Sequence, residues 1–578
     1  MTPMTNQETA VSAFWDTEFV PMRDGIRLRT ETYRATGNAP TPVLFMRTPY
    51  SEPMQRNAPI RTALEAGFSV VIQYCRGSFG SEGELVAFEN EKPDGLDSLA
   101  WLRSREWCDG NVVMLGQSYL GMTQNAIAGS MPGGLAGMVQ MVTTHNYRDG
   151  LAYQQGAFQL GQGLGWHVLK VAQTLADQPT SNPEEKARLV QAFRSLAGNL
   201  NEAYRVLPSS NLPAINEVLP TWRKWVENET NQDYWSSFSF TDERVKTNVP
   251  VLHIGGWYDL FLSGTLDNYT TISTAAENVS IRASQHLIIG PWTHTDQTGN
   301  AGEMFYPAGN AAVFGLERQQ IGFLRSAVER EASSLPPVQL FVMGANIWRS
   351  EQEWPLARTQ WQDWNFTPES QLLPPGSQVG EGILEFTTDP LDPVPTVGGR
   401  TLMQGGIDGG MHYQPGTRDQ RILDGRADIL RFVSEPLESD LEVTGPVSAT
   451  LTVSTSAKDA DFTVRLIDER PDGRALGVAD GILRLRYRNG MNHPSPVEPG
   501  KEYQITVSLV ATSQLFAKGH RIRIDIAGSN FPCYDRNLGT GRPIAENTAG
   551  DIREFSQSLH FGPEKTMHLS LPVIPCTD

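Results

Sequence analysis

The run Gly116-Gln117-Ser118-Tyr119-Leu120-Gly121 follows an apolar, strand-like stretch (Asn111 to Leu115) and precedes one able to form a helix (Met122 to Ile127). This is Gly-x-Ser-x-x-Gly, one residue longer than the Gly-x-Ser-x-Gly nucleophile elbow, and it keeps the elbow's strand–turn–helix order. Glycines let the backbone enter a strained turn that exposes a serine oxygen. The helix start behind it leaves N–H groups unpaired, and these can face a developing anion. A serine hydroxyl is a poor nucleophile until a base takes its proton, and the base needs a carboxylate to orient it. In α/β-hydrolases the three follow in the order Ser, Asp, His, each at the end of a strand. Val251-Leu252-His253-Ile254-Gly255-Gly256-Trp257-Tyr258-Asp259 is an apolar run ending in an acid, and His286-Leu287-Ile288-Ile289-Gly290-Pro291-Trp292-Thr293-His294 is one ending in a histidine. Ser118, Asp259 and His294 are therefore the expected nucleophile, orienting acid and general base. His253 and His286 fall at the start of or inside strand-like runs and are read as structural. The backbone N–H of Tyr119, next after the nucleophile, is an expected oxyanion donor.

Positioning these groups requires a mostly parallel sheet covered by helices. Strand-like runs at 42–47, 68–73, 111–115 and 137–142 alternate with helix candidates at 60–66 and 96–105, the pattern of an α/β domain. A hairpin is expected at Asp24-Gly25. Residues 148–242 show no convincing strand; instead Asn182-Pro183-Glu184-Glu185 reads as a capped helix start, with Leu189, Phe193, Leu196 and Leu200 on one face. Buried-strand runs resume at 249–254 and 286–289, followed by a helix candidate at 319–331. From about residue 355 proline and glycine punctuate alternating strands such as Arg521-Ile522-Arg523-Ile524-Asp525-Ile526. Many short strands with turn signals predict an antiparallel sandwich or jelly roll. The expected division is an α/β-hydrolase domain over 1–147 and 243–354, a helical cap insertion over 148–242, and a jelly-roll β domain over 355–578.

At 578 residues the chain needs several cores. Its formal charge of −18, from 47 Lys+Arg against 65 Asp+Glu, repels phosphate backbones and anionic membrane faces, so neither nucleic acid nor a membrane is an expected partner. No apolar run is long enough for a transmembrane helix, and the opening residues lack the basic and apolar segments of a secretion signal. Cys75, Cys108, Cys533 and Cys576 have no CxxC spacing, which argues against zinc and disulfides and fits a cytoplasmic location. Cys75 is read as a loop thiol near the site. Arg76-Gly77-Ser78-Phe79-Gly80-Ser81-Glu82-Gly83 lacks both the GxGxxG spacing and the lysine of a phosphate loop and is read as a structural βα loop.

The segments Trp107-Cys108-Asp109-Gly110-Asn111-Val112, Gly116 to Gly121, Gly256-Trp257-Tyr258-Asp259 and Gly290 to His294 resemble the bacterial cocaine esterase family, within the X-prolyl dipeptidyl peptidase superfamily of α/β-hydrolases. Gly519-His520-Arg521-Ile522 and Ser529-Asn530-Phe531-Pro532 resemble that family's jelly-roll signature. The resemblance runs the length of the chain. It implies the same Ser118–His294–Asp259 triad and a second oxyanion donor, the hydroxyl of Tyr50, where no His-Gly-Gly-Gly motif follows the early strand. It also implies an acyl pocket walled by Trp166 and Phe261, with Leu402 and Met403 at its far side. The expected activity is that of a serine carboxylesterase acting on small esters with an aromatic or apolar acyl group, without metal or organic cofactor. The expected partner is a small-molecule ester, and a homodimer is left open. Three other readings are weighed. An α-amino-acid ester hydrolase or β-lactam acylase would carry a carboxylate cluster for the substrate ammonium, and an X-prolyl dipeptidyl peptidase would cleave an Xaa-Pro anilide. A carbohydrate-binding protein without catalysis fits poorly with a complete triad in order.

Overall fold

Aliphatic runs with no polar alternation must be covered on both faces, and this is how they are used. Val43–Met46, Val70–Ile72, Val112–Met114 and Leu287–Ile289 are all fully buried in the computed structural model, which describes residues 13–35, 39–50, 59–177, 182–402 and 414–575. They lie in one ten-stranded sheet built from β1 (Ala13–Pro21), β2 (Arg27–Ala35), β3 (Thr41–Thr48), β4 (Ser69–Tyr74), β5 (Cys108–Gln117), β6 (Leu135–Met141), β7 (Val251–Tyr258), β8 (Gln285–Thr293), β9 (Val338–Val342) and β10 (Ile347–Glu351). The order is β1-β2-β4-β3-β5-β6-β7-β8-β9-β10. From β4 to β9 neighbours run parallel, while β1, β2 and β10 join antiparallel at the edges. The chain reverses its direction of travel across the sheet between β3 and β5, and in such sheets ligands bind outside the strand ends at the reversal. Tyr50 follows β3 and Ser118 follows β5, so both stand at that point.

Helices α1 (Ile60–Glu65), α2 (Glu91–Arg103) and α3 (Tyr119–Ala128) pack against this sheet. Helix α2 begins five residues earlier than its pattern predicts. Pro93 lies in the first turn, where its missing N–H costs nothing. Gly95 is required by contact, since a Cβ there would stand 2.8 Å from Ile127 Cγ2 of α3.

Between β6 and β7 the chain forms α4 (Leu160–Asp177), α5 (Pro183–Ala197), α6 (Leu200–Arg205), α7 (Pro213–Asn216), α8 (Thr221–Glu227) and α9 (Gln232–Ser236). The start of α5 is the expected one: Pro183 is its first residue and the Glu185 N–H donates to Asn182 Oδ1 at 3.2 Å. Unforeseen is a two-residue ladder pairing Tyr153–Gln154 with Ala157–Phe158. Its turn holds Gln155 at φ 44° and Gly156 at φ 92°, a tight turn that glutamine does not advertise.

The C-terminal part is all β. Strands β11 (Gln360–Phe366), β12 (Leu372–Leu373), β13 (Gly382–Thr388), β14 (Ile429–Val433), β15 (Leu441–Thr455), β16 (Asp461–Glu469), β17 (Ala475–Arg484), β18 (Tyr503–Phe516), β19 (Arg521–Ala527), β20 (Phe555–Phe561) and β21 (His568–Ile574) make two antiparallel sheets. One is β12-β11-β21-β15-β20-β13, with β18 also on β15; the other is β14-β19-β16-β17. Alternate residues such as Ile522, Ile524 and Ile526 fill the core. The intervening Arg523 and Asp525 are buried too, and the guanidinium grips the carboxylate through two 2.9 Å bonds. This domain holds the helical segment: buried Glu229 beside α8 pairs with Arg486 and accepts from the Tyr487 hydroxyl at 2.8 Å and the Ile544 N–H at 2.8 Å. Among the described residues no helix is long and apolar enough to cross a membrane.

Candidate active site

Ser118 joins β5 to α3 with φ 59° and ψ −123°, a conformation that costs a non-glycine residue about 1–3 kcal/mol. Its neighbours impose it. A Cβ on Gly116 would stand 2.3 Å from Leu120 Cβ, and one on Gly121 would stand 2.7 Å from Thr143 Cβ. The extra residue of the motif thus brings its second glycine against the segment after β6. The Ser118 N–H donates to Met141 O at 2.9 Å, and the helix starts at once, with the Met122 N–H donating to Ser118 O at 3.1 Å.

Asp259 follows β7 and His294 follows β8. These strands pair in parallel, with a shift of register between Gly290 and Thr293. Gly256 lies so close to Trp292 that a Cβ there would be 2.3 Å from its carbonyl oxygen. The result is a chain of three side chains. His294 Nδ1 is 2.7 Å from Asp259 Oδ1, and His294 Nε2 is 3.0 Å from Ser118 Oγ. A carboxylate only accepts, so Nδ1 carries the proton and Nε2 offers its lone pair to the serine. Asp259 is fully buried, and the Gln117 side chain fixes the histidine backbone by donating to His294 O at 2.9 Å. The ring of Phe261 meets the imidazole edge to face at 5.2 Å.

Tyr50 and Tyr119 flank the serine, their rings edge to face at 6.3 Å. The Tyr119 N–H is in the first turn of α3, where helical donors have no partner in the helix. The Tyr50 hydroxyl accepts from Trp166 Nε1 at 3.1 Å, which leaves its own proton to give. Burial pushes this hydroxyl up to about 12, against the opposing effect of hydrogen bonds with Trp166 and Ser118, so it stays protonated at neutral pH.

The support beneath Tyr119 was not foreseen. Its hydroxyl donates to Glu91 Oε1 at 2.8 Å, and Glu91 Oε2 lies 2.7 Å from the buried Arg47 guanidinium. Glu91 sits in Glu89-Asn90-Glu91-Lys92, which as a sequence looks like solvated surface. Cys75, read as a loop thiol, is fully buried against Glu91, its Sγ 3.6 Å from Oε2.

A cavity with about 400 Å³ of unfilled space opens onto Ser118 and His294. Trp166, Phe261 and Leu402 line it as expected, while Met403 falls outside the described residues. Phe88 and Trp225 were not anticipated as walls. Phe88 stacks on Tyr119 at 4.6 Å, and Trp166 and Trp225 run within 16° of parallel. The two pairs face each other, Tyr119 to Trp166 and Phe88 to Trp225, each at 6.3 Å and within 10° of parallel. Phe88 has φ 72° in a loop, and Trp225 is one of 13 tryptophans; neither carries a local signal of its place.

Residues 24–296 match the X-Pro dipeptidyl-peptidase S15 family model, and residues 331–570 match the X-Pro dipeptidyl-peptidase C-terminal non-catalytic domain. The chain is 36% identical to cocaine esterase of Rhodococcus sp. (strain MB1 Bresler) over 96% of its own length and 97% of that protein's. Among solved structures, an α-amino acid ester hydrolase superposes with a TM-score of 0.78 at 25% identity, covering 99% of this chain and 98% of the other. An aminopeptidase from a marine sediment archaeon (Thaumarchaeota archaeon) superposes with a TM-score of 0.81 at 23% identity over 99% and 98%, a likeness of fold. The chain therefore belongs to the cocaine esterase family of the X-Pro dipeptidyl-peptidase S15 group, and is a serine hydrolase of the carboxylic ester class.

Proposed function

We propose that the protein hydrolyses small esters with a flat, apolar acyl group through a Ser118–His294–Asp259 triad. The observation that carries this is the pair of contacts at His294, 3.0 Å to the serine oxygen and 2.7 Å to the carboxylate. Ser118 Oγ attacks the ester carbonyl carbon as His294 Nε2 takes its proton. Asp259 holds the imidazole and stabilises its cationic form. The carbonyl oxygen becomes an anion facing the Tyr119 N–H and the Tyr50 O–H. The C–O bond to the alcohol then breaks, and His294 returns the proton to the departing oxygen. Water activated by His294 attacks the acyl-enzyme and releases a carboxylate and free Ser118. On this reading residues 1–147 and 243–354 form the hydrolase domain, 148–242 its cap, and 355–578 a jelly roll.

The aromatic slot supports the acyl preference. Opposed parallel rings at 6.3 Å leave the width in which a planar group stacks on both sides. No Asp or Glu lines this cavity among the described residues, which disfavours a substrate ammonium and hence the α-amino-acid ester reading. The test is a panel of benzoyl, aliphatic, aminoacyl and Xaa-Pro substrates. Benzoyl esters should exceed aminoacyl esters by about tenfold or more in kcat/KM. Faster cleavage of an Xaa-Pro anilide or an aminoacyl ester would overturn the assignment.

Tyr50→Phe removes one of two oxyanion donors while keeping the ring. It should lower kcat by about 10²–10³, or about 2.7–4 kcal/mol, with a much smaller change in KM. A kcat within threefold of the parent enzyme would remove Tyr50 from the oxyanion hole.

A further inference from the structure

Two polar atoms in the wall of the catalytic cavity have no partner among the described residues: Gln162 Oε1 and Trp225 Nε1. Both side chains are buried, Gln162 at 7% exposure and Trp225 at 2%. The orientation of the Gln162 amide is set by its other half, since Nε2 donates to Leu151 O. Turning the amide over would press its oxygen against that carbonyl, so an acceptor is what faces the cavity. Gln162 and Trp166 stand four residues apart on α4, on one helix face, and the Trp166 ring runs parallel to Trp225 at 6.3 Å. The remaining walls are apolar rings and aliphatic chains. A buried acceptor and a buried donor left open in such a cavity each cost free energy until something fills them. An unsubstituted benzoyl ring satisfies neither.

Building on the esterase reading above, we propose that Gln162 and Trp225 are specificity-determining residues for an aromatic acyl group bearing a ring hydroxyl. A phenolic hydroxyl donates and accepts at once: its proton goes to Gln162 Oε1 and its lone pair receives the Trp225 N–H. Two adjacent ring hydroxyls serve the same two atoms separately. An amino substituent donates but accepts poorly, and a methyl group does neither. The substrate class is thus the hydroxylated benzoate esters, and the product is a hydroxybenzoate.

The test compares kcat/KM for ethyl 2-, 3- and 4-hydroxybenzoate and 3,4-dihydroxybenzoate with the corresponding methyl-substituted esters. Each hydroxyl-to-methyl ratio is divided by the same ratio for alkaline hydrolysis, which removes the ring's electronic effect. At least one hydroxyl ester should exceed its methyl counterpart by about tenfold or more, because a site built to bond a hydroxyl rejects the analogue lacking it. In Gln162→Met the corrected ratio should fall to about one, and in Trp225→Phe it should fall several-fold. Reading a ratio cancels any general loss of activity in a variant. The wild-type ratios alone also decide the matter: if every methyl ester equals or beats its hydroxyl counterpart, water or nothing fills the site and the proposal is wrong. A hydroxyl preference that survives Gln162→Met and Trp225→Phe unchanged would likewise overturn it. Failure of the esterase reading would look different, with no ester of either series turned over.

Discussion

Ser118→Ala is expected to lower kcat toward a benzoyl ester by about 10⁶, leaving KM within a few-fold of the parent value. The serine supplies the only oxygen that His294 Nε2 reaches at 3.0 Å among the described residues, so without it the covalent route closes. What remains is attack by water in a cavity that still holds the oxyanion donors, the residual rate that knocking out a triad leaves behind. The substitution adds nothing to the crowded turn, because alanine keeps the Cβ that Ser118 already places at φ 59°. Thermal melting should therefore match the parent protein closely, separating lost chemistry from lost fold. Turnover above about 1% of the parent rate would mean that another group starts the reaction.

Asp259→Asn should cost about 10⁴ in kcat without displacing a neighbour, since the two side chains have nearly the same shape. The effect is one of proton placement. The carboxylate accepts from Nδ1 and so leaves Nε2 bare toward Ser118 Oγ. An asparagine NH₂ facing Nδ1 would donate instead and force the imidazole proton onto Nε2, where it blocks removal of the serine proton. The loss should shrink as the pH is raised and hydroxide generates alkoxide directly. A loss under tenfold would argue that His294 needs no orienting acid here.

The triad residues were legible because each closes an apolar strand run, and a strand end is a place the backbone itself marks. Asn182 with Pro183 announced a helix start for a similar reason: cap and first-turn chemistry are local. The support under the oxyanion turn was not legible. Arg47, Glu91 and Tyr119 are far apart in sequence and meet only because β3, α2 and α3 pack together. Glu91 also stands among charged neighbours that suggest solvent, and Pro93 and Gly95 hide the helix that carries it. The slot was half legible. Trp166 and Phe261 came through resemblance, but Phe88 and Trp225 are placed by stacking geometry that no short motif encodes. The ladder at Tyr153–Phe158 escaped because its turn places a glutamine at positive φ.

That His294 activates Ser118 and no other nucleophile is tested most directly by modification with a fluorophosphonate followed by peptide mapping. One adduct per chain should form, on the peptide carrying Ser118, and ester hydrolysis should disappear in step with it. Full modification that leaves hydrolysis intact, or inactivation with the adduct on a different residue, would contradict the account.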